Sequence, residues 1–231
     1  MGTIYLIRHA QASFGAAAAY DRLSEVGLTQ AKVLGRALAT RRPRTDRLLS
    51  GTMRRHEETA RGCLEAMGAP AQWESDSDWN EYDHQNVLQA YDPRYADPAT
   101  MPAELAASNE PRRRFQEIFV ASMDRWVSGR HDAEYAESWP AFRARVSGAL
   151  ARLNASLAKS QGALVFTSGG PIAAVCGALL NLSGQDALSL NSKLVNASVT
   201  KLLCNGKAVH LSTLNEHAHF EGAEGALITY R

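Results

Sequence analysis

The sequence predicts an α/β fold: a three-layer α/β/α sandwich around a mostly parallel central sheet, with one antiparallel strand near the C-terminus. Short β-rich apolar segments alternate with longer amphipathic segments over most of the 231 residues, as in successive βαβ units. Near the C-terminus, two apolar segments are joined by Asn205-Gly206, a strong hairpin signal. The chain has no internal repeat. We therefore expect a single domain over residues 1–231.

The individual elements follow from the spacing of apolar residues and from the residues that interrupt it. Apolar positions three and four apart predict helices, whereas short β-branched runs between Gly, Pro or Ser predict buried strands. The predicted elements, in chain order, are a strand at 3–8, a helix at about 27–42, a strand at 47–50, a helix at about 53–67, a short strand within 71–80, helices at about 112–128 and 138–158, a strand at 162–167, a helix at about 171–181, and a hairpin of 199–203 with 209–214.

The segment from about 85 to 135 does not fit the strand–helix alternation. It carries four prolines, from Pro93 to Pro111, together with mixed polarity. This composition indicates a segment inserted into the domain rather than a linker between two domains. We expect the segment to cover part of the substrate pocket.

Composition excludes several classes of function. The net charge is +1, from 25 basic and 24 acidic residues, so no overall field attracts nucleic acid or a membrane surface. No apolar run reaches the length needed to span a bilayer, and the N-terminus does not resemble a signal peptide. The three cysteines are widely spaced, which favours neither a disulfide framework nor a metal site. These features predict a cytoplasmic protein.

Polar residues of a particular kind follow three predicted strands. The first strand ends in Arg8-His9, the second leads to Arg54-Arg55-His56 at a helix start, and the third is followed by Ser168-Gly169-Gly170. Ligands of such sheets bind where parallel strands end. Guanidinium groups beside a helix N-terminus favour a phosphate dianion. Burial and neighbouring arginines disfavour protonated His9, and a neutral imidazole is a nucleophile toward phosphorus.

Several motifs then support a resemblance to a known family. Arg8-His9-Ala10 resembles the R-H-G signature of the histidine phosphatase superfamily, the phosphoglycerate-mutase-like proteins. The other matching stretches are L-S-E-V-G-L-T-Q-A at 23–31 with L-T-x-x-G-x-x-Q-A, G-T-M-R-R-H-E-E-T-A at 51–60 with S-P-L-x-R-A-x-Q-T-A, and W-N-E at 79–81 with L-N-E. The resemblance covers nearly the whole chain in the expected order.

The resemblance implies a role for each matching residue. His9 would accept the phosphoryl group, and Glu81 would protonate the leaving alcohol and then activate water. Arg8 and Arg55 would hold the phosphoryl oxygens. Ser168 and Gly169 would complete the phosphate site. No metal ion or organic cofactor is implied, and the expected partner is a small phosphorylated substrate or inorganic phosphate.

Three departures from the family pattern bear on the chemistry or the substrate. Ala10 replaces the glycine after the nucleophile. Ser168 stands where the family pattern H-G has a histidine that donates to the phosphoryl oxygens, and we expect a working but altered pocket. His84, the nearest candidate in sequence, or His217 or His219 would fill the gap. Position 15 is glycine, where cofactor-dependent mutases of the family usually carry asparagine.

Simpler interpretations accompany these assignments. Arg54 and His56 are expected on the exposed surface of their helix, and Ser168 is a candidate N-cap of the next helix. Gln11 and Ser13 are further candidates for phosphate contact.

The sequence favours a metal-independent phosphomonoester hydrolase that acts through a phosphohistidine on an unidentified small phosphorylated substrate or phosphoprotein, and two alternatives stay open. One is phosphoryl transfer of the phosphoglycerate-mutase type, which Gly15 disfavours. The other is a catalytically weakened phospholigand-binding protein, which Ser168 suggests. The physiological substrate and the oligomeric state stay open as well.

Overall fold

A six-stranded sheet in the order β3-β2-β4-β1-β5-β6 forms the centre of the protein. The computed structural model describes residues 1–13 and 21–230. The strands are β1 (Gly2–Arg8), β2 (Arg47–Ser50), β3 (Glu74–Ser75), β4 (Gly162–Thr167), β5 (Val199–Cys204) and β6 (Val209–Glu216). Strands β1 to β4 are parallel, whereas β5 runs opposite to both of its neighbours. The predicted mostly parallel sheet with one antiparallel strand is confirmed.

Helices cover both faces of this sheet, as the three-layer prediction requires. They are α1 (Glu25–Arg41), α2 (Arg54–Met67), α3 (His84–Tyr91), α4 (Thr100–Ala106), α5 (Pro111–Val127), α6 (Trp139–Ser156), α7 (Gly169–Leu180) and α8 (Gly184–Lys193). Successive residues of β1 point to opposite faces. Ile4 and Leu6 join the core beneath α6 and α7, whereas Ile7 joins the core beneath α1 and α2. Among the described helices, none has the length and apolar character to cross a membrane.

The structure differs from the sequence prediction in three short helices. Helices α3 and α4 lie in the proline-containing segment, and α8 follows α7; none of the three is predicted. Local capping explains two of them, because the Asp83 carboxylate accepts hydrogen bonds from the first turn of α3 and Ser183 does the same for α8. Such short helices have too few apolar residues to show a clear period. The short strand expected within 71–80 is present as β3, which has only two residues.

Helix α1 holds the loop that follows β1. The Gln30 amide oxygen accepts a hydrogen bond from the Gln11 backbone N–H at 2.7 Å, and its Nε2 donates to Leu227 O and Thr229 Oγ1. A β-carbon on Gly27 would lie 2.2 Å from Gln11 O. The G-x-x-Q stretch of α1 is therefore explained by contact with the chain just beyond His9.

We expect Gly27→Ala to lower the free energy of unfolding by about 1–3 kcal/mol, because α1 must move away from the backbone at Gln11. Gly148→Ala in α6 is the matched control, since a β-carbon there meets only the Arg152 side chain at 3.6 Å. That control should gain about 0.5–1 kcal/mol from helix propensity. Urea unfolding measures both variants. Equal stability of Gly27→Ala and wild type would contradict the close packing at Gln11.

Candidate active site

His9 lies just beyond the end of β1, between the ends of its two neighbouring strands. Its backbone N–H donates to Thr167 O at 2.8 Å, and its carbonyl accepts from Asn196 Nδ2 at 3.2 Å and from Ala197 N at 3.3 Å. The next residue, Ala10, donates its N–H to Thr59 Oγ1. The side chain of His9 is buried. Hydrogen bonds on both sides therefore fix the backbone that carries this imidazole.

The protonation of His9 follows from its contacts. Its Nδ1 lies 2.7 Å from the Ala10 carbonyl oxygen, which only accepts, so Nδ1 carries the hydrogen of the neutral ring. Burial lowers the pKa of His9 well below its usual value, and Arg55, Arg8 and His56 lower it further. His9 is therefore neutral near pH 7, with the lone pair on Nε2. This agrees with the expectation from sequence that the arginines disfavour the protonated ring.

Two buried arginines approach His9 from different elements. Arg8 donates through Nη1 to the carbonyl oxygens of Leu194 and Tyr230, so the loop before β5 and the C-terminal segment both hold its guanidinium. Arg55, in the first turn of α2, forms an ion pair with Asp21 at 2.8 Å. Both side chains are less than a tenth exposed. Arg54 is exposed, in agreement with the sequence interpretation.

Glu81 approaches the same place from the loop before α3. Its Oε2 accepts from Gly170 N at 3.1 Å, and its Oε1 accepts from Tyr82 N at 3.2 Å. Burial raises the pKa of Glu81, although these hydrogen bonds and the charges of Arg55 and Arg8 act in the opposite direction. A β-carbon on Gly170 would lie 1.9 Å from Glu81 Oε1, so this approach requires glycine.

Ser168 is completely buried at the start of α7, and its hydroxyl contacts a histidine. Its Oγ lies 2.6 Å from Nε2 of His56, which is also completely buried. The expectation that His56 lies on the helix surface is therefore wrong. Ser168 occupies the N-cap position, but its side chain makes no capping hydrogen bond. The imidazole rings of His56 and His9 are 5.7 Å apart between centroids.

The remaining sequence candidates have contacts of their own. A β-carbon on Gly169 would lie 3.5 Å from Arg8 Nε. Burial lowers the pKa of the partly buried His84, and Arg55 contributes to that shift. The Gln11 side chain accepts from Ser24 Oγ, and Ser13 Oγ donates to Leu23 O. A phosphate contact of Gln11, Ser13 or His84 stays a prediction.

The other two histidine candidates have backbone partners. His217 Nδ1 contacts Asn215 O at 2.6 Å, and His219 Nε2 contacts Ala197 O at 3.1 Å. Burial lowers the pKa of His219 to about 4. The position Gly15, on which the argument against a mutase rests, lies outside the described residues. The histidine that the structure places against Ser168 is His56.

Together these groups can perform chemistry on a phosphate ester. The Arg8 and Arg55 guanidinium groups act electrostatically on both the unprotonated imidazole of His9 and the Glu81 carboxyl group, whose pKa is raised. Such a set supplies a nucleophile, charge stabilisation for the equatorial oxygens and an acid for the leaving group. In residues 1–13 and 21–230, no three His, Cys, Asp or Glu side chains are grouped so that they could hold a metal ion.

Solved structures of phosphoryl-transfer enzymes share the fold. A phosphoglycerate mutase from Bacillus anthracis superposes with a TM-score of 0.66 at 19% identity, over 97% of this chain and 96% of that one. A mycobacterial glucosyl-3-phosphoglycerate phosphatase gives 0.58 at 24% identity, over 93% and 98%. A phosphoserine phosphatase from Entamoeba histolytica, solved with phosphoserine, gives 0.59 at 13% identity, over 95% and 99%.

Sequence comparison identifies the family. No curated protein sequence matches the chain. The sequence model of the histidine phosphatase superfamily (branch 1) matches residues 4–110 and 106–217, which together cover most of the chain. These ranges contain Arg8, His9, Arg55, Glu81 and Ser168. The chain belongs to the histidine phosphatase superfamily.

Proposed function

We propose that the protein is a phosphomonoester hydrolase that forms a phosphohistidine on His9. One observation carries the proposal: Nδ1 of His9 is tied to the Ala10 carbonyl, so the lone pair of the neutral ring is on Nε2. Buried arginines lie on the same side of the sheet edge and act on this ring. An imidazole held in this way attacks phosphorus without first losing a proton.

In the first step, His9 Nε2 bonds to phosphorus while the bond from phosphorus to the ester oxygen breaks. Glu81 gives its proton to that oxygen, so the alcohol leaves neutral. In the second step, the Glu81 carboxylate takes a proton from water as the water oxygen bonds to phosphorus. The phosphorus–nitrogen bond breaks, and inorganic phosphate leaves. Arg8 and Arg55 stabilise the negative charge in both steps.

We propose a small phosphorylated molecule as the substrate and the segment at about 85–135 as its cover. The structural neighbours include enzymes named for phosphoserine and for glucosyl-3-phosphoglycerate. Within this chain, the Tyr82 ring packs 4.8 Å from the Trp126 ring of α5. The segment therefore contacts the residue next to Glu81, which supports a role in enclosing the leaving group.

The pH dependence of phosphoserine hydrolysis tests the proposal, because the leaving group of an alkyl phosphate needs the proton of Glu81. In the active form, His9 is unprotonated while Glu81 is protonated. With ordinary pKa values of about 6.5 and 4.3, Glu81 would lose its proton at a lower pH than His9 does, so the two forms would hardly coexist. The pKa of His9 is lowered and that of Glu81 is raised, which opens a window for both forms. We expect kcat/KM to fall at low pH as His9 gains a proton, and at high pH as Glu81 loses one.

Two results decide this experiment. The fall of kcat/KM at high pH should vanish in Glu81→Gln. The second ionisation of the substrate, with a pKa of about 6, is the same for both enzymes, so the comparison separates its effect from that of Glu81. No hydrolysis by wild type at any pH, combined with tight binding of inorganic phosphate, would instead identify a phospholigand-binding protein.

A further inference from the structure

Three departures from the family pattern meet at one place. The pattern S-P-L-x-R-A places serine at position 51 and alanine at position 56, and the pattern H-G places histidine at position 168. This chain has Gly51, His56 and Ser168. Ser168 is more than 100 residues away from the other two in sequence, yet His56 contacts it and also fills the space beside Gly51. Its Nε2 lies 2.6 Å from Ser168 Oγ, and its Nδ1 would lie 2.3 Å from a β-carbon on Gly51.

The position of the hydrogen on His56 follows from its two nitrogens. Burial and the neighbouring Arg55 lower the pKa of His56 well below its usual value, so the ring is neutral and carries one N–H. Among the described residues, Nδ1 is buried without a hydrogen-bond partner. An unpaired buried N–H is costly. Orphaned buried N–H groups are rarer in folded proteins than under-satisfied acceptors, which assigns the hydrogen to Nε2, where Ser168 Oγ accepts it.

This arrangement leaves the hydroxyl hydrogen of Ser168 available. Within the described part of the chain, its side chain makes no hydrogen bond other than the contact with His56. The His56 N–H takes one lone pair of the Ser168 oxygen and leaves the hydroxyl hydrogen free to donate to a further partner that only accepts, such as a phosphoryl oxygen. Both His9 and Arg8 lie nearby. The His9 and His56 rings are 5.7 Å apart between centroids, and a β-carbon on Gly169, the residue after Ser168, would lie 3.5 Å from Arg8 Nε.

We propose that His56 is a positioning residue that orients the Ser168 hydroxyl as a donor to the phosphoryl group. The His56–Ser168 pair then replaces the histidine that the family pattern places at position 168. The imidazole has moved from the start of α7 to the first turn of α2, and Gly51 leaves the space that it occupies. This inference rests on the proposed function, since it assigns a donor to the same phosphoryl group.

A reciprocal exchange tests the inference. We expect His56→Ala to lower kcat/KM on p-nitrophenyl phosphate by about 10²–10³-fold, the usual effect of losing one oriented donor. Ser168→His alone should also be impaired, because its ring would collide with His56. The double variant His56→Ala/Ser168→His restores the family pattern and should recover most of the lost activity. His56→Ala/Ser168→Leu fills the space without a donor and should stay impaired.

A second pair of variants guards against misfolding. His56→Gln keeps an N–H donor for Ser168 and should retain kcat within about tenfold, whereas His56→Leu keeps only the volume and should match His56→Ala. Thermal unfolding is measured for all variants. Wild-type kcat in folded His56→Leu, or equal losses in His56→Gln and His56→Leu, would overturn the inference.

The readouts separate this inference from the proposed function. Absence of turnover in wild type contradicts the proposed hydrolase, not the donor pair. In that case, titration calorimetry with inorganic phosphate carries the test. Phosphate affinity should fall in His56→Leu and be kept in His56→Gln. Equal phosphate affinity of wild type and folded His56→Leu would overturn the donor pair by itself.

Discussion

Replacing His9 with alanine is expected to lower kcat by about 10⁴-fold or more, the scale seen when the nucleophile of a covalent mechanism is removed. The loss should be this large because no other group in the described structure presents an unprotonated nitrogen at the same point between Arg8 and Arg55. Phosphate release from p-nitrophenyl phosphate measures the effect. His210→Ala is the matched control, since His210 is exposed on β6.

His9→Ala should keep its fold and its affinity for inorganic phosphate, because the arginines remain. The imidazole is poorly solvated and lies beside two cations, so removing it costs no favourable electrostatic energy. The free energy of unfolding should therefore fall by no more than the cost of the new cavity, about 1–2 kcal/mol. A folded His9→Ala variant that retains a tenth of the wild-type rate would contradict a covalent role for His9.

Glu81→Gln is expected to lower kcat/KM by about 10²–10⁴-fold on alkyl phosphates, the range for losing a general acid. The loss of kcat/KM should be much smaller for p-nitrophenyl phosphate, because kcat/KM reports the first phosphoryl transfer and the phenolate leaves in that step without protonation. Glutamine cannot transfer a proton, but it has the size of the carboxyl group and still accepts from Gly170 N, as Glu81 does. Turnover of phosphoserine and p-nitrophenyl phosphate by the same preparation measures the difference.

Glu65→Gln is the control for this variant, since Glu65 is exposed on α2. If Glu81 served only in binding, Glu81→Gln would lower kcat/KM for phosphoserine and for p-nitrophenyl phosphate by the same factor. Equal factors would therefore contradict general-acid catalysis and leave Glu81 as a group that only positions the start of α7.

Much of the fold follows from the sequence because strands and helices of this protein have clear local patterns. Strand β4 occupies the predicted residues 162–167, and β1 differs from its prediction only by one residue at Gly2. Helix α7 begins at Gly169, before the predicted start near Pro171, because the two glycines already adopt helical geometry. Helix α3, at the start of the segment at about 85–135, escapes prediction, since capping by the single side chain of Asp83 decides it.

The candidate site shows the limit of the same reasoning. Strand ends identify Arg8, His9 and Ser168, because topology alone brings parallel strand ends together. His56 is buried because it contacts Ser168, 112 residues away in sequence. Its position in the first turn of an amphipathic helix does not predict this burial. The usable signal is a pair of opposite departures from the family pattern, histidine gained at 56 and lost at 168.

Rapid chemical quench of the enzyme during turnover tests the central claim most directly. We predict an acid-labile, alkali-stable phosphoryl group on Nε2 of His9, identified by peptide mapping and phosphorus NMR. With p-nitrophenyl phosphate it should accumulate in Glu81→Gln, because the second step needs Glu81 to activate water, and it should be absent in His9→Ala. A phosphoryl group on Nδ1 of His9 or on another residue, or turnover without any phosphoenzyme, would contradict the account.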